Sequence, residues 1–264
     1  MLTNGPHFGD PPVAEVVCGV QFSGAEGWQT PHFGSFWEQI RGVYSGIEDH
    51  PPLEKLRVEA TPLETRLTLL PPLRRVFFIQ PPGNFLIQLQ PNRILHNWRK
   101  TEEVDQYPRF DTAYPKFVWS WNKLKQFAAS AGLSEPQPDM FELTYVNHIT
   151  KPGAKFPQDV WDFLAFYEQT PRAVVAKESS AMAMHFGWPL PKEMGVLTFD
   201  LKHGLRPSDE SEVLLIEFNA RGKTTQDGPN MDEWFGVAHD AIVNTFDALT
   251  TESAHRLWEK RETS

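Results

Sequence analysis

Cysteine is nearly absent from this chain, with Cys18 the single one. One thiol forms neither an intramolecular disulfide nor a thiolate metal cage, and its isolation fits a reducing compartment. Long apolar runs are missing too. No stretch approaches the ~18 apolar residues that a membrane span needs, and the opening MLTNGPHFGDPP has neither the basic nor the apolar region of a secretory leader. The expectation is a cytoplasmic protein with no membrane contact.

Positive charge is in deficit. Lys and Arg number 25 against 34 Asp and Glu, a net charge of −9, so the long-range field repels a phosphate backbone and disfavours nucleic acid as a partner. Two short basic runs, Arg74-Arg75 and Arg93 with Arg99-Lys100, read equally well as solvated strand ends. Catalytic and cofactor motifs are also lacking. The 9 histidines are scattered, and none stands in a His-Glu-x-x-His or other metal spacing. Gly42-Val43-Tyr44-Ser45-Gly46 has its serine misplaced for a nucleophile elbow, and Asn219 to Thr225 carries Gly-Lys-Thr without the earlier glycine of a phosphate loop. No catalytic residue, metal ligand or cofactor is expected. Cys18 reads as a small buried hydrophobe. His239-Asp240 reads as decoration of a helix surface, because adjacent helical residues point in different directions.

What the chain does hold is core-forming material and repeated punctuation. Of its 264 residues 40% are apolar, and 9 Trp with 19 Phe supply bulk for a large core. The 23 prolines fall in short clusters such as Pro51-Pro52, Pro71-Pro72 and Pro81-Pro82, which mark turns and strand ends. Between them, residues 13–22 alternate as a strand. Thr30-Pro31 reads as an N-cap and first helical position, opening an amphipathic helix that carries Phe33, Phe36, Trp37, Ile40, Val43, Tyr44 and Ile47. Three β-like runs follow, at 56–70, 75–80 and 84–100, and a helix from about Asp111 stops at Gly132.

After Pro136 and Pro138 the order restarts. A strand spans 140–149 and a short helix 156–167; strands follow at 174–188, 196–203 and 212–220. A helix begun by Asn230 then carries Trp234, Ala238, Ile242 and Phe246, and a last helix spans 252–260. The predicted fold is therefore α+β, with two similar β-α-β-β-β-α halves, 1–134 and 135–264, equivalent elements lying roughly 120 to 130 residues apart. Such halves, of TBP-like or helix-grip type, pair edge to edge into one extended antiparallel sheet with helices on one face.

One resemblance adds to this reading. Pro11-Pro12-Val13-Ala14-Glu15-Val16, the stretch Leu86-Ile87-Gln88-Leu89-Gln90 through Arg93, Asn97-Trp98-Arg99, Tyr107-Pro108, Glu142, Tyr145-Val146-Asn147 and the C-terminal Phe246, Leu249-Thr250 and Trp258 resemble a sporadically distributed bacterial family with no assigned activity. The resemblance implies a bacterial or phage cytosolic protein of patchy distribution, a pattern that suggests mobile or defence-associated genes, and it supplies no catalytic residues.

Candidate binding residues come from the polar segment 88–99. Taken as one strand, it sets Gln88, Gln90, Asn92, His96 and Trp98 on one face and Arg93, Asn97 and Arg99 on the other. These residues are either solvated or structurally bonded, or one face lines a groove offering paired donors and acceptors to a peptide or small polar ligand. Tyr145 and Asn147, on a common face of a later strand, are read either as a structural stitch or as contacts in the same site. Met182, Met184, Phe186 and Trp188 are core, or an apolar patch for a partner if exposed.

The site expectation is thus Gln88, Gln90, Arg93, Asn97, Trp98, Tyr145 and Asn147, in a non-enzymatic module that binds another protein or peptide encoded nearby, in an antitoxin-like, chaperone-like or defence role. Self-association is left open. The alternatives are a small-ligand-binding protein, or a hydrolase or transferase using His96, His148 and Glu142.

Overall fold

The computed structural model describes residues 6–54, 56, 73–102, 105–150, 155–156, 159–165, 182–205, 211–225 and 227–261, which form a mixed α+β structure with a large antiparallel sheet and four α-helices. The elements are β1 (His7–Phe8), β2 (Val13–Ser23), α1 (Thr30–Ile40), β3 (Gly46–His50), β4 (Arg75–Gln80), β5 (Phe85–Gln90), β6 (Arg93–Arg99), α2 (Phe110–Ser130), β7 (Gln137–Ile149), β8 (Ala183–Pro189), β9 (Val196–Leu205), β10 (Glu212–Lys223), α3 (Met231–Leu249), α4 (Glu252–Leu257) and β11 (Lys260–Arg261). The chain groups into two compact units, one of Val16–Leu143 with Arg221–Met231, the other of Met1–Glu15, Thr144–Ala220 and Asp232–Ser264.

In the Val16–Leu143 unit the hydrogen-bonded strand order is β3-β4-β5-β6-β2-β7, and the first three pairs are antiparallel. Alternation along β2 turns Val16, Cys18, Val20 and Phe22 to one side, all buried. There Phe22 meets Trp121 of α2 at 5.7 Å and Phe36 of α1 meets Phe78 at 5.6 Å, so both helices cover this face. Helix α2 ends in a Schellman turn: the Leu133 amide reaches Ala128 O at 2.9 Å, and Gly132 takes the left-handed φ of 69° that the turn requires. This is the stop read from the sequence.

Three expectations change here. The α1 cap is Gln29, whose backbone N–H donates to His32 Nδ1 at 2.8 Å, with Thr30 and Pro31 inside the first turn. The helix does not run on to Ile47. It closes at Ile40, whose carbonyl takes the Val43 and Tyr44 amides, and the chain becomes strand at Gly46, where a Cβ would stand 3.1 Å from Ile79 Cβ. Residues 84–100 are likewise not one strand but the hairpin β5–β6, turning at Pro91-Asn92, where proline has no amide to give a ladder. The expected run at 56–70 lies, apart from Leu56, outside the described residues, as does the start of 174–188; of the helix expected at 156–167, the described residues hold the 3-10 turn Val160–Asp162.

In the Thr144–Ala220 unit the order is β7-β10-β9-β8, with β8–β9 antiparallel. Helix α3 buries Trp234, Phe235, Ala238, Ile242 and Phe246. Phe246 sits 6.2 Å from Phe218 of β10. A two-residue ribbon, β1 with β11, brings Phe8 to within 5.4 Å of Phe246.

Candidate functional site

The hairpin register decides where the expected site residues go. Gln88 pairs with Leu95, Leu86 with Asn97 and Gln90 with Arg93, and residues paired across antiparallel strands share a face. Gln88, Gln90, Arg93 and Asn97 therefore lie together on the face away from the helices. His96 and Trp98 lie on the helix face, which corrects the alternation read through the turn.

The four residues on the first face are buried and bonded to one another and to their neighbours. Arg75 Nη1 donates to Gln88 Oε1 at 2.8 Å, and Gln88 Nε2 donates to Asn97 Oδ1 at 3.0 Å. Gln90 clamps the backbone of Leu53, accepting its amide at 3.0 Å and donating to its carbonyl at 3.2 Å. Gln21 of β2 accepts the Leu56 amide at 2.7 Å. Two glutamines thus act as backbone partners for the segment after β3 that crosses this face.

Arg93 binds Glu142 of β7 in a two-pronged pair, Nε to Oε1 at 2.6 Å and Nη2 to Oε2, with both side chains buried. Desolvating two charges is costly, and the bidentate geometry is what offsets it. Opposite them β2 has Gly19, where a Cβ would come within 2.4 Å of Leu95 Cδ2 and 2.6 Å of Glu142 Oε1. The glycine is the space the pair occupies.

On the helix face His96 Nε2 and Tyr44 Oη share a 2.8 Å hydrogen bond. Burial, with the Lys116 charge second, holds the His96 imidazole down to about 3, and burial raises the Tyr44 phenol. His96 is thus a neutral group at physiological pH, and its Nδ1 has no hydrogen-bond partner among the described residues. Because Arg93 holds Glu142, that carboxylate and His96 lie on opposite faces of the sheet, so they do not act on one atom.

Tyr145 and Asn147 belong to the other unit. Tyr145 Oη meets His239 Nδ1 of α3 at 2.9 Å, and Asn147 Nδ2 donates to Ile216 O at 3.4 Å. His239 is 8% exposed and held down to about 4 by burial, so it is a core residue and not the surface decoration expected. Cys18 is buried as expected, and burial raises its thiol.

Two recesses of the Val16–Leu143 unit are lined by described residues. The larger, about 500 Å³, lies between α1 and the strands β3 and β4: Phe33, Gly34 and Trp37 form the helix wall, Ile47, Val76 and Phe78 the strand side, and Asp49 and Arg74 the rim. Asp49 and Arg74 are joined at 2.7 Å. The smaller, about 310 Å³, is bounded by Gln80, Pro81-Pro82, Phe85, Trp98 and Asp105; of the expected site residues Trp98 borders this recess, and none lines the larger one. Here Gln80 Oε1 is buried without a hydrogen-bond partner among the described residues.

The sequence reading missed the larger groove, because Val43 and Ile47 were assigned to a helix core. They are 46% and 50% exposed. Among the described residues no group of His, Cys, Asp and Glu is arranged to hold a metal ion, and no helix is long and apolar enough to cross a membrane. Comparison with protein-family models, curated proteins and solved structures finds no match for the chain, so the geometry alone carries the functional reading.

Proposed function

We propose that the chain is a protein- or peptide-binding module and not an enzyme, acting in the bacterial cytoplasm beside a partner encoded nearby. The observation that carries this is the α1–β3 groove: a recess of about 500 Å³ with Phe33, Trp37 and Ile47 on its walls and exposed Val43 close by in sequence. Apolar surface left open in a folded chain is the usual mark of a partner site. The polar residues first expected to bind serve, on this reading, as the frame behind it. Gln88, Gln90, Arg93 and Asn97 spend their hydrogen bonds on one another, on Glu142 and on the backbone after β3, which stiffens the strands the groove is built on.

The runs β2 to α2 and β7 to α3 are read as two copies of one helix-grip unit, since each opens on a long strand and ends on a long helix. Capture from the native host with the full chain, followed by calorimetry on the purified pair, tests the function. Recovery of no protein above an unrelated control would end it.

A second reading is favoured by the recess beside Trp98: at about 310 Å³, with Gln80, Asn84 and Asp105 among its lining, it takes a small polar molecule. Ligand-observed NMR with a fragment library tests it, and the absence of any hit weakened by Gln80→Leu removes it.

A further inference from the structure

Three features of the larger groove converge on one kind of occupant. First, β3 stands at the end of the strand order and bonds β4 on one side only among the described residues. Its outer edge offers amides and carbonyls to an added strand. Second, the apolar groove runs beside that edge, so alternate side chains of such a strand would fall into it, while the ladder bonds supply sequence-independent binding. Third, the edge strand carries two adjacent carboxylates, of which only Asp49 has a Lys or Arg partner among the described residues. Ile47 and Asp49 line the groove, and Glu48 between them turns to the opposite face.

Asp49 is answered by Arg74 at 2.7 Å. Among the described residues Glu48 has only the His50 ring, at 3.2 Å, while Arg75 on the same face is turned to Gln88.

We infer that the groove and edge receive an extended peptide strand with an apolar residue opposite Ile47 and, next to it, a lysine or arginine opposite Glu48. This rests on the reading of the chain as a binding module and names what it binds. The pairing rule places the basic residue on the Glu48 face and its neighbour in the groove, because residues directly opposite share a face. A second copy of the chain is the wrong occupant. Pairing about β3 itself sets Glu48 against Glu48, and directly opposed like charges are destabilising. The net charge of −9 points the same way, towards a basic segment and away from self-association.

Gly34 fits this use. It lies in α1 on the groove wall, is exposed, and a Cβ there would meet nothing within 4 Å. Packing does not require a glycine there, and glycine is a poor helix former. Its bare backbone leaves room for a side chain of the bound strand.

The test is a phage-displayed library of random dodecamers selected on the full chain, with affinities of the enriched peptides measured by fluorescence anisotropy on the wild type, Gly34→Trp and Glu48→Lys. Both substitutions are at exposed positions, and circular dichroism checks that each variant is folded. Enriched peptides should pair an apolar residue with an adjacent lysine or arginine. They should bind Gly34→Trp at least tenfold more weakly, and selection on Glu48→Lys should replace the basic residue by an acidic one. Peptides that bind Gly34→Trp equally, or keep their basic residue on Glu48→Lys, overturn the inference and leave the binding module with a site elsewhere. If nothing is enriched, the inference also falls, and the host capture experiment separately decides whether the broader reading falls with it.

Discussion

Two neutral histidines buried in the core make the stability of this protein depend on pH below about 6.5. His96 is 1% exposed and held to about 3, and His239 is 8% exposed and held to about 4. In the unfolded chain both return to ~6.5. Below that value the unfolded state binds two protons that the folded state refuses, so the free energy of unfolding falls as pH falls; the loss continues until each folded value is reached. At pH 5 each histidine costs about 2 kcal/mol, roughly 4 kcal/mol together, because 1.5 pH units separate the solution from the unfolded value.

That is a large part of the ~5–15 kcal/mol that holds a typical domain. The assay is urea denaturation at pH 7.5 and 5.0 for the wild type, His96→Phe and His239→Phe. Each variant should lose about 2 kcal/mol less than the wild type between the two conditions, whatever its absolute stability. Asp240, raised by burial, acts in the opposite sense, but it is common to all three chains and cancels in the differences. Asp105, held to about 2 chiefly by the Glu102 and Thr101 amides, titrates below this window. A His96→Phe chain with the full wild-type pH dependence would refute the reasoning.

Further outcomes follow from the frame behind the groove. Glu142→Ala strands the buried Arg93 charge and should cost ~3–5 kcal/mol in urea denaturation, whereas Arg93→Met with Glu142→Leu should recover most of it; a double-mutant cycle measures the coupling. Gly19→Ala drives a methyl into Leu95 and Glu142 and should lower stability by ~1–3 kcal/mol; a thermal melt unchanged from wild type would show that β2 can shift to make room. Gly34→Ala should raise stability by ~1 kcal/mol, because its Cβ enters open space, and a loss instead would place that helix face in contact with something.

Some of this was legible from residue order alone. Strand β4 was read with the limits it has, Arg75–Gln80, because its apolar run is bounded by charge and by a proline pair. The stop of α2 was read from Gly132, whose left-handed turn is a property of one residue. Burial of Cys18 followed from its place among Val16, Val20 and Phe22 on one alternating face. In each case the signal and its cause lie within a few residues.

The tertiary structure decided the rest, for the reason that periodicity tells which residues share a face only while the chain keeps one direction. The turn at Pro91-Asn92 reverses the strand and moves Gln88 from the side of His96 to that of Arg93 and Asn97. Arg93 and Glu142 are separated by 49 residues, and nothing local to either announces the other. Ile47 suits a helix stripe and a strand edge equally well in sequence; the close approach of Gly46 to Ile79 settles it as strand and so opens the groove. Burial of His239 depends on Tyr145, 94 residues away. Apolar patterning determined that this chain builds sheets covered by helices, and the strand register, set by long-range packing, decided which polar groups became structure and which surface was left open.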